Sequence, residues 1–264
     1  MKDNHWASFH RRWAHYTPPL RPDAEVAAAI RQAIAGHDER VLLLGVTPEY
    51  ADAGADVTAL DYSELMIGSV WPGDAPRRRA FKGDWLAMPF PAGAFTSAIG
   101  DGSLSALAYP DGHRQLYEQL KQVLRPGGRV ALRLFKMPDR AESLATVLAA
   151  ARAGEIRNFH AFKWRVAMAL VAAAGDPNLA VQAILSTFEQ EFPDRQNLAA
   201  LTGWPIEQID TIDTYRDSRE VYSFATFEQL CRAVPAGFTK PRLVAVGTYE
   251  LAERCPILIT ERAS

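Results

Sequence analysis

Residues 111–135, DGHRQLYEQLKQVLRPGGRVALRLF, contain a complete unit of helix, turn and strand. Apolar residues recur there at spacings of three and four, which predicts a helix with one buried face formed by Leu116, Leu120, Val123 and Leu124. Residues 125–128 read RPGG and supply a helix stop and a turn. A strand is predicted directly after that turn, at residues 129–135.

The same alternation of helix and strand extends toward the N-terminus. Short apolar runs predict buried strands at residues 41–44, 56–60, 79–82 and 95–99. Helical spacing between them predicts helices at residues 25–34 and 63–71. Strands joined by helices form right-handed crossovers and a sheet covered on both faces. The sequence therefore predicts an α/β fold with a doubly wound, mostly parallel sheet.

Beyond residue 139 the pattern changes. No strand signal is visible up to about residue 193, and helical spacing predicts a helical insertion after the fifth strand. Residues 226–234 resume as a helix. Residues 242–252 and 255–261 then predict two strands around a short turn, which close the fold as a C-terminal antiparallel hairpin.

Length, composition and charge limit the class of protein. With 264 residues, 23% of them charged, the chain predicts one globular domain with an insertion. A formal net charge of −2 disfavours nucleic acid as a partner. Cys231 and Cys255 lack neighbours at metal-ligand spacing, so we expect no metal site and a cytoplasmic location. The longest apolar run, residues 166–174, is too short to span a membrane.

Small and acidic residues stand at the predicted strand ends, where doubly wound sheets bind ligands. Gly45 follows the first strand and permits close approach of a ligand, and Thr47 is placed to cap the next helix. Asp61 follows the second strand, where a carboxylate can accept both hydroxyls of a ribose. Asp84 and Trp85 follow the third strand and suit an adenine, through its amino group and its ring.

The order of these motifs resembles the class I S-adenosylmethionine-dependent methyltransferases of small molecules. The resemblance rests on VLLLG at 41–45, VTALDYSELMI at 57–67, GDWLAMPFPAGAFTSAIGDGSL at 83–104 and LKQVLRPGGRVALRLF at 120–135. It implies a seven-stranded Rossmann-like sheet whose last strand is antiparallel, with S-adenosylmethionine as cofactor and S-adenosylhomocysteine as product. The cofactor-binding residues that it implies, together with their neighbours, are Gly45, Val46, Thr47, Asp61, Tyr62, Met66, Asp84, Trp85, Gly100, Asp101 and Gly102.

The first loop departs from the family pattern, which usually repeats glycine as G-x-G-x-G. Here Gly45 is followed by Val46, Thr47, Pro48 and Glu49. This departure leaves open a second hypothesis, a non-catalytic or degenerate Rossmann-like module that acts through protein contacts. A nicotinamide-dependent oxidoreductase is disfavoured, because its glycine-rich pyrophosphate loop is missing.

Methyl transfer needs mainly an acceptor held in line with the sulfonium methyl group. If a general base assists, the sequence offers Asp101 or a histidine such as His160. A predicted N-terminal helix places four rings on one face, those of Trp6, Phe9, Trp13 and Tyr16. This aromatic face either packs against the protein or contacts a ligand. The predicted substrate residues are Trp6, Phe159, His160 and Trp164.

We therefore predict three parts of the chain. Residues 1–21 form an aromatic helical segment, residues 22–138 and 222–264 form the Rossmann-like cofactor-binding domain, and residues 139–221 form a helical lid or substrate region. The expected partner is a small-molecule acceptor. Neither nucleic acid nor a membrane is expected as a partner. The oligomeric state stays open, a homodimer included.

Overall fold

The computed structural model describes residues 9–36 and 40–264. Trp6, which the sequence places among the substrate residues, lies outside the described residues. Within them the strands are β1 Val41–Leu44, β2 Val57–Asp61, β3 Arg78–Lys82, β4 Phe95–Asp101, β5 Leu124–Arg133, β6 Asn178–Ala180, β7 Val221–Ser223, β8 Arg242–Val244 and β9 Ile257–Glu261.

Seven of these strands form one sheet in the order β3-β2-β1-β4-β5-β9-β8. Strands β1 to β5 run parallel, β9 is antiparallel to β5, and β8 is antiparallel to β9. The predicted α/β fold with a mostly parallel seven-stranded sheet and an antiparallel C-terminal pair is confirmed. Because the chain winds outward in both directions from β1 and β4, a cleft opens where these two strands end.

Helices cover both faces of the sheet. The α-helices of the described residues are α1 Ala24–Ile34, α2 Glu64–Val70, α3 Asp111–Val123, α4 Leu144–Arg152, α5 Phe159–Ala174, α6 Val181–Glu191, α7 Arg195–Thr202, α8 Ile206–Ile209 and α9 Phe227–Ala233. Successive β1 side chains point to opposite faces. Val41 and Leu43 pack with α1 and α2, whereas Leu42 and Leu44 pack with α3 and α9.

The insertion after β5 has its own apolar core. Asn158 caps the start of helix α5, and its side chain accepts the N–H groups of His160 and Ala161. The helix is buried around most of its circumference, and α4, α6 and α8 all contact it. Phe159, Phe162, Phe188 and Trp204 form the aromatic centre of this core.

Two details of the predicted secondary structure are wrong. The insertion contains a strand, β6, which pairs with β7 and was missed because three residues are too few to show a period. The strand predicted at residues 242–252 ends at Val244, and Gly247 and Leu251 then adopt positive φ angles of 93° and 76°. The C-terminal strands are therefore joined by a long irregular connection rather than by a short turn.

One pair of strands bears on the predicted division of the chain into three parts. The β6–β7 pair joins residues 178–180 to 221–223 and so crosses the boundary predicted at residue 221. The division into three parts stays a prediction.

In the part of the chain that the structure describes, every helix is too short or too polar to cross a membrane.

Candidate functional site

A cleft of about 830 Å³, counting its open mouth, lies at the carboxyl ends of β1, β2 and β4. Of the residues predicted to bind the cofactor or substrate, the lining contains Gly45, Val46, Thr47, Asp61, Tyr62, Met66, Trp85, Asp101, Gly102 and Trp164. The rest of the lining comprises Phe9, Trp13, Leu20, Leu44, Ser105, Ala106, Phe135 and Tyr222.

Gly45 keeps the floor of the cleft open. Its φ angle of +95° favours glycine, and its N–H donates to the Leu60 carbonyl at 2.9 Å. A Cβ added at this position would lie 3.7 Å from the Trp85 ring and 3.9 Å from Asp61 Oδ2. Any side chain at Gly45 would extend into the space beside Asp61 and Trp85.

Asp61 is a buried carboxylate at the end of β2, with 8% of its surface exposed. Its Oδ1 accepts the Ser63 N–H at 2.8 Å, and Oδ2 lies on the side of Gly45. Burial raises the pKa of Asp61 from 3.8 to about 6, against the opposing effect of the Ser63 hydrogen bond. The carboxylate thus carries a desolvation cost that a donor in the cleft would offset.

Trp85 and Tyr62 form the sides of this half of the cleft. The Trp85 indole donates to the Leu60 carbonyl at 2.6 Å, which fixes the ring beside Gly45. The Tyr62 hydroxyl donates to Glu220 Oε1 at 3.3 Å, and so connects the loop after β2 to the residue before β7. An aromatic ring and the Met66 side chain suit the packing of a flat purine.

Asp101 is held by a buried arginine. It lies opposite Arg133 in the β4–β5 register, and Arg133 Nε and Nη2 donate to its two carboxylate oxygens at 2.8 and 3.0 Å. Burial raises the pKa of Asp101, and the Arg133 guanidinium opposes that rise. Because both oxygens already accept hydrogen bonds, Asp101 is poorly placed to take a proton from an acceptor.

The loop after Gly45 turns away from the cleft without the usual glycines. Val46 and Thr47 line the cleft, and residues Pro48–Tyr50 form a single 3-10 turn. Thr47 stands at the start of that turn but makes no side-chain cap, so the predicted cap is not formed. Glu49 accepts a hydrogen bond from Arg21, which offsets its negative charge.

Two predicted cofactor residues do not line the cleft. Asp84 Oδ1 accepts the Leu86 N–H at 2.9 Å and organises the turn that carries Trp85. Gly100 lies inside the sheet, where an added Cβ would stand 2.4 Å from Ser103 Oγ and 3.2 Å from Leu44 Cβ. Asp84 thus supports the turn beside Trp85, and Gly100 permits close packing against Leu44 and Ser103.

The predicted substrate residues Phe159 and His160 are also absent from the lining. Phe159 packs in the insertion core against Phe188 and Trp204. His160 Nε2 bonds the His15 carbonyl at 3.0 Å, and burial lowers the pKa of its imidazole to about 3. The ring is therefore neutral, and it connects the N-terminal segment to α5. Of the insertion residues predicted to contact substrate, only Trp164 reaches the cleft.

The second half of the cleft is an aromatic wall formed by Phe9, Trp13, Phe135, Trp164 and Tyr222. Its rings come from four separate parts of the chain. Trp164 packs on Phe135 with ring centroids 4.9 Å apart and on Tyr222 at 5.8 Å. Sequence reasoning missed Phe135 and Tyr222 because only the folded insertion brings them together, although Phe135 does follow a strand end.

A lysine of α5, Lys163, is buried among three aromatic rings outside the lining of the cleft. Lys163 has no exposed surface, and its Nζ has no hydrogen-bond partner among the described residues. The ammonium lies 5.5 Å from the Tyr16 ring, 5.8 Å from Phe159 and 4.9 Å from Tyr215. Burial, with a smaller effect of Arg12, lowers the pKa of Lys163 from 10.5 to about 7.

We expect Lys163→Met to stabilise the protein by on the order of 3 kcal/mol at about pH 6, and by much less near pH 10. Between about pH 7 and pH 10.5 the folded state binds fewer protons than the unfolded state. The free energy of unfolding of the wild type therefore falls as the pH falls through that range. Methionine removes this cost and keeps the packing. Thermal unfolding at both pH values measures the difference.

The exposed Lys82, paired with Glu64, provides the matched control. Lys82→Met should change stability by less than about 0.5 kcal/mol at either pH. A Lys163→Met protein that is less stable than wild type at about pH 6 would show that the ammonium makes a net favourable interaction in the aromatic cage.

The cleft offers an acceptor, apolar surface and space of the kind that S-adenosylmethionine needs. Asp61 offers an acceptor for ribose hydroxyls, Gly45 leaves room beside it, and Trp85 and Met66 provide apolar surface for the base. Within residues 9–36 and 40–264 no three His, Cys, Asp or Glu side chains are grouped to hold a metal ion.

Comparison with known proteins matches the part of the chain that contains most of the predicted cofactor residues. A family model described as a methyltransferase domain matches residues 45–132. The chain is 27% identical over 158 residues to a demethylmenaquinone methyltransferase of Renibacterium salmoninarum. That match covers 59% of this chain and 60% of the relative, which is less than two thirds of the relative's length.

Solved structures show the fold of the whole chain. The N1-methyltransferase of 1,6-didemethyltoxoflavin from Burkholderia thailandensis, bound to its substrate and S-adenosylhomocysteine, aligns with a TM-score of 0.56 at 16% identity, over 99% of this chain and 86% of its own. A Rhodobacter sphaeroides protein, provisionally named a Zn-dependent alcohol dehydrogenase, aligns with a TM-score of 0.57 at 14% identity. The alignment covers 97% of this chain and 98% of the Rhodobacter protein. At these identities the likeness establishes the fold alone.

Proposed function

We propose that this chain, which carries a class I, Rossmann-like S-adenosylmethionine-dependent methyltransferase domain, transfers a methyl group to a small-molecule acceptor. The observation that carries the proposal is the cleft itself, which joins a ribose-type acceptor, Asp61, to an aromatic wall in one continuous space. The residues around Asp61 would hold the cofactor, and the aromatic wall would hold the acceptor beside it.

When bound, S-adenosylmethionine supplies a sulfonium methyl group: the acceptor atom bonds to the methyl carbon, the carbon–sulfur bond breaks with its electron pair on sulfur, and S-adenosylhomocysteine results. The residues of the chain then position and desolvate the reactants. We assign Asp61 to the ribose, Trp85 and Met66 to the adenine, and Val46, Thr47 and Gly102 to the amino-acid end. Such positioning alone accounts for a large share of the rate of bimolecular transfers.

We assign no base to the cleft. Asp101 is occupied by Arg133, and His160 is buried elsewhere as a neutral ring. Asp101 instead acts as a positioning residue, because the Asp101–Arg133 pair fixes the ends of β4 and β5 around the cleft. This assignment replaces the roles of general base that the sequence suggested for the two residues.

The open cleft argues against a degenerate binding module. A cavity filled by apolar side chains would have contradicted the enzyme hypothesis. Here Val46 packs into the core below the sheet end, and Glu49 is turned toward Arg21, so both leave the cleft accessible. A cytoplasmic location, a homodimer and the absence of nucleic-acid partners stay predictions from the sequence.

The proposal is tested by calorimetric titration of the protein with S-adenosylmethionine and S-adenosylhomocysteine. We expect binding in the range of about 1–100 μM for both ligands. S-adenosylhomocysteine formation is then followed with a panel of small hydroxyl, thiol and amine compounds. No heat from either ligand, in a sample whose thermal unfolding is cooperative, would contradict the proposal.

A further inference from the structure

Residues 9–21 form a strap along the cleft, which we call the N-terminal strap. Three of its side chains, Phe9, Trp13 and Leu20, belong to the lining of the cleft. Its 3-10 turn, His10–His15, packs on α2, the helix that follows β2. The N-terminal strap therefore borders the same space as the residues that we assign to the cofactor.

Hydrogen bonds hold the middle of the N-terminal strap to the insertion. His160 Nε2 bonds the His15 carbonyl at 3.0 Å, and the Thr17 hydroxyl accepts the Asn158 side-chain N–H at 3.2 Å. Both partners lie at the start of α5. These bonds do not reach the loop after β1, so a separate contact has to join the strap to that loop.

Arg21 makes this separate contact. Its Nε donates to Glu49 Oε1 at 2.5 Å, and its guanidinium carbon lies 5.3 Å from the centre of the Trp13 ring. Glu49 comes two residues after Thr47, which lines the cleft. One guanidinium thus joins an aromatic ring of the N-terminal strap to the loop at the end of β1.

Glu49 is an unusual residue for this loop. In the pattern G-x-G-x-G, counted from Gly45, it stands where the third glycine would be. Its side chain is only 18% exposed, and its Oε2 is buried without a hydrogen-bond partner among the residues that the structure describes. A buried carboxylate of this kind is costly unless a cation compensates its charge.

A second carboxylate nearby makes the compensation of Glu49 more important. The pKa of Asp101, which lines the cleft, is raised chiefly by its burial and further by the charge of Glu49. Without Arg21 the Glu49 carboxylate would have to turn toward water, and the short turn Pro48–Tyr50 would move with it. Arg21 therefore determines where this border of the cleft lies.

We propose that Arg21 and Glu49 are positioning residues for S-adenosylmethionine, which they hold indirectly by joining the N-terminal strap to the loop after β1. Their ion pair fixes Trp13 and Thr47, one from each segment, at the border of the cleft. A site that is ordered before its ligand arrives loses less entropy on binding. This inference rests on the proposed function and deepens it, since neither residue belongs to the lining of the cleft.

The test measures S-adenosylhomocysteine affinity and dissociation rate in Arg21→Met and Glu49→Gln, which each remove one charge and keep the length of the side chain. We expect each variant to bind about tenfold more weakly, mostly through faster dissociation. Because both variants break the same contact, the double variant should bind within about twofold of either single one. Arg21→Lys keeps the charge and should stay within about threefold of wild type.

Hydrogen exchange reports directly on the N-terminal strap. The Leu20 N–H donates to the Thr17 carbonyl at 2.9 Å, inside the segment that Arg21 holds. We expect this amide to exchange faster in Arg21→Met and in Glu49→Gln than in wild type, while the temperature of global unfolding changes little. A role in overall stability alone would lower the unfolding temperature without a selective rise in the dissociation rate.

Arg152→Met is the matched control. Arg152 pairs with Glu191 at 2.6 Å and lies 5.1 Å from the centre of the Phe192 ring, so it makes the same two kinds of contact as Arg21. None of these three residues lines the cleft. The control should bind S-adenosylhomocysteine within about twofold of wild type.

The outcomes separate this inference from the proposed function. If Arg21→Met unfolds cooperatively and binds S-adenosylhomocysteine as tightly as wild type, the inference fails and the proposed function stands. A double variant whose loss of affinity is the product of the two single losses also overturns the inference, because the residues would then act independently. If Arg21→Met does not fold, Glu49→Gln decides in its place. Wild-type protein that binds no S-adenosylhomocysteine contradicts the proposed function itself.

Discussion

Replacement of Asp61 by asparagine is expected to weaken S-adenosylhomocysteine binding roughly a hundredfold, because two charge-assisted hydrogen bonds to a ribose are lost or weakened. The same change should stabilise the ligand-free protein at about pH 7 by roughly 2–3 kcal/mol. Burial raises the pKa of Asp61 from 3.8 to about 6, so the ionised side chain is an unfavourable element of the folded state. Affinity and stability thus change in opposite directions.

The pH dependence follows from the same shift. Since the folded pKa is above the unfolded value, the contribution of Asp61 to stability is lost as the pH rises through about 6. The gain from Asp61→Asn should therefore disappear near pH 4. In wild-type protein, S-adenosylhomocysteine affinity should fall about tenfold per pH unit below about 6, because the protonated acid no longer accepts two hydrogen bonds. Calorimetry and thermal unfolding across this range measure both effects.

Asp52→Asn is the matched control, since the Asp52 side chain is 80% exposed and pairs with Arg78 on the surface. It should leave affinity and stability close to wild type. If Asp61→Asn lowers stability and affinity together, Asp61 supports the fold of the loop after β2 and the assignment to a ribose fails.

The sequence was sufficient for the main sheet and for most of the polar half of the cleft, although Asp84 and Gly100 do not line it. Both features depend on local signals. A buried strand followed by glycine or aspartate places that residue at the sheet edge, as Gly45 and Asp61 illustrate. The periodicity of a strand or helix is readable within one segment, and the winding rules then arrange the segments.

The aromatic half of the cleft was not predictable in the same way. Its rings approach one another only after α5 and β7 pack against the N-terminal segment and the end of β5. His160 and Trp164 are one turn apart on α5, yet one bonds the His15 carbonyl and the other reaches the cleft. No spacing rule separates them, because the helix is buried on nearly all sides.

Arg133 is a third case, because the sequence indicated a buried ion pair that was not predicted. A charged residue inside the apolar strand of residues 129–135 needs a buried partner. In a parallel sheet that partner is most simply found on a neighbouring strand, and Asp101 at the end of the preceding strand satisfies this condition. The pair could have been proposed from sequence, and it would have argued against Asp101 as a base.

Arg133→Met is expected to destabilise the protein by about 3–5 kcal/mol at about pH 7, because Asp101 would be left buried without its partner. The guanidinium is fully buried and bonds both Asp101 and the Tyr249 hydroxyl. In the variant, burial alone would raise the pKa of Asp101, so the loss of stability should shrink as the pH is lowered toward about 5. Urea unfolding at both pH values provides the measurement.

The double variant Arg133→Met/Asp101→Asn should recover most of that loss, because no buried charge remains unpaired. A matched exposed pair, Arg232 with Glu228, gives the baseline: Arg232→Met should cost less than about 0.5 kcal/mol. If the double variant is as unstable as the single one, the interaction between Asp101 and Arg133 is not what stabilises this end of the sheet.

The same double variant decides the role of Asp101 in the reaction. Loss of the pair loosens the strand ends but removes no reacting group, so we expect the double variant to bind S-adenosylhomocysteine and to keep its turnover within about tenfold of wild type. A general base at Asp101 would instead leave a folded, ligand-binding protein whose turnover is lower by about 10²–10⁴-fold. That second outcome would restore Asp101 as the general base that the sequence suggested, and the cleft would then contain its own proton acceptor.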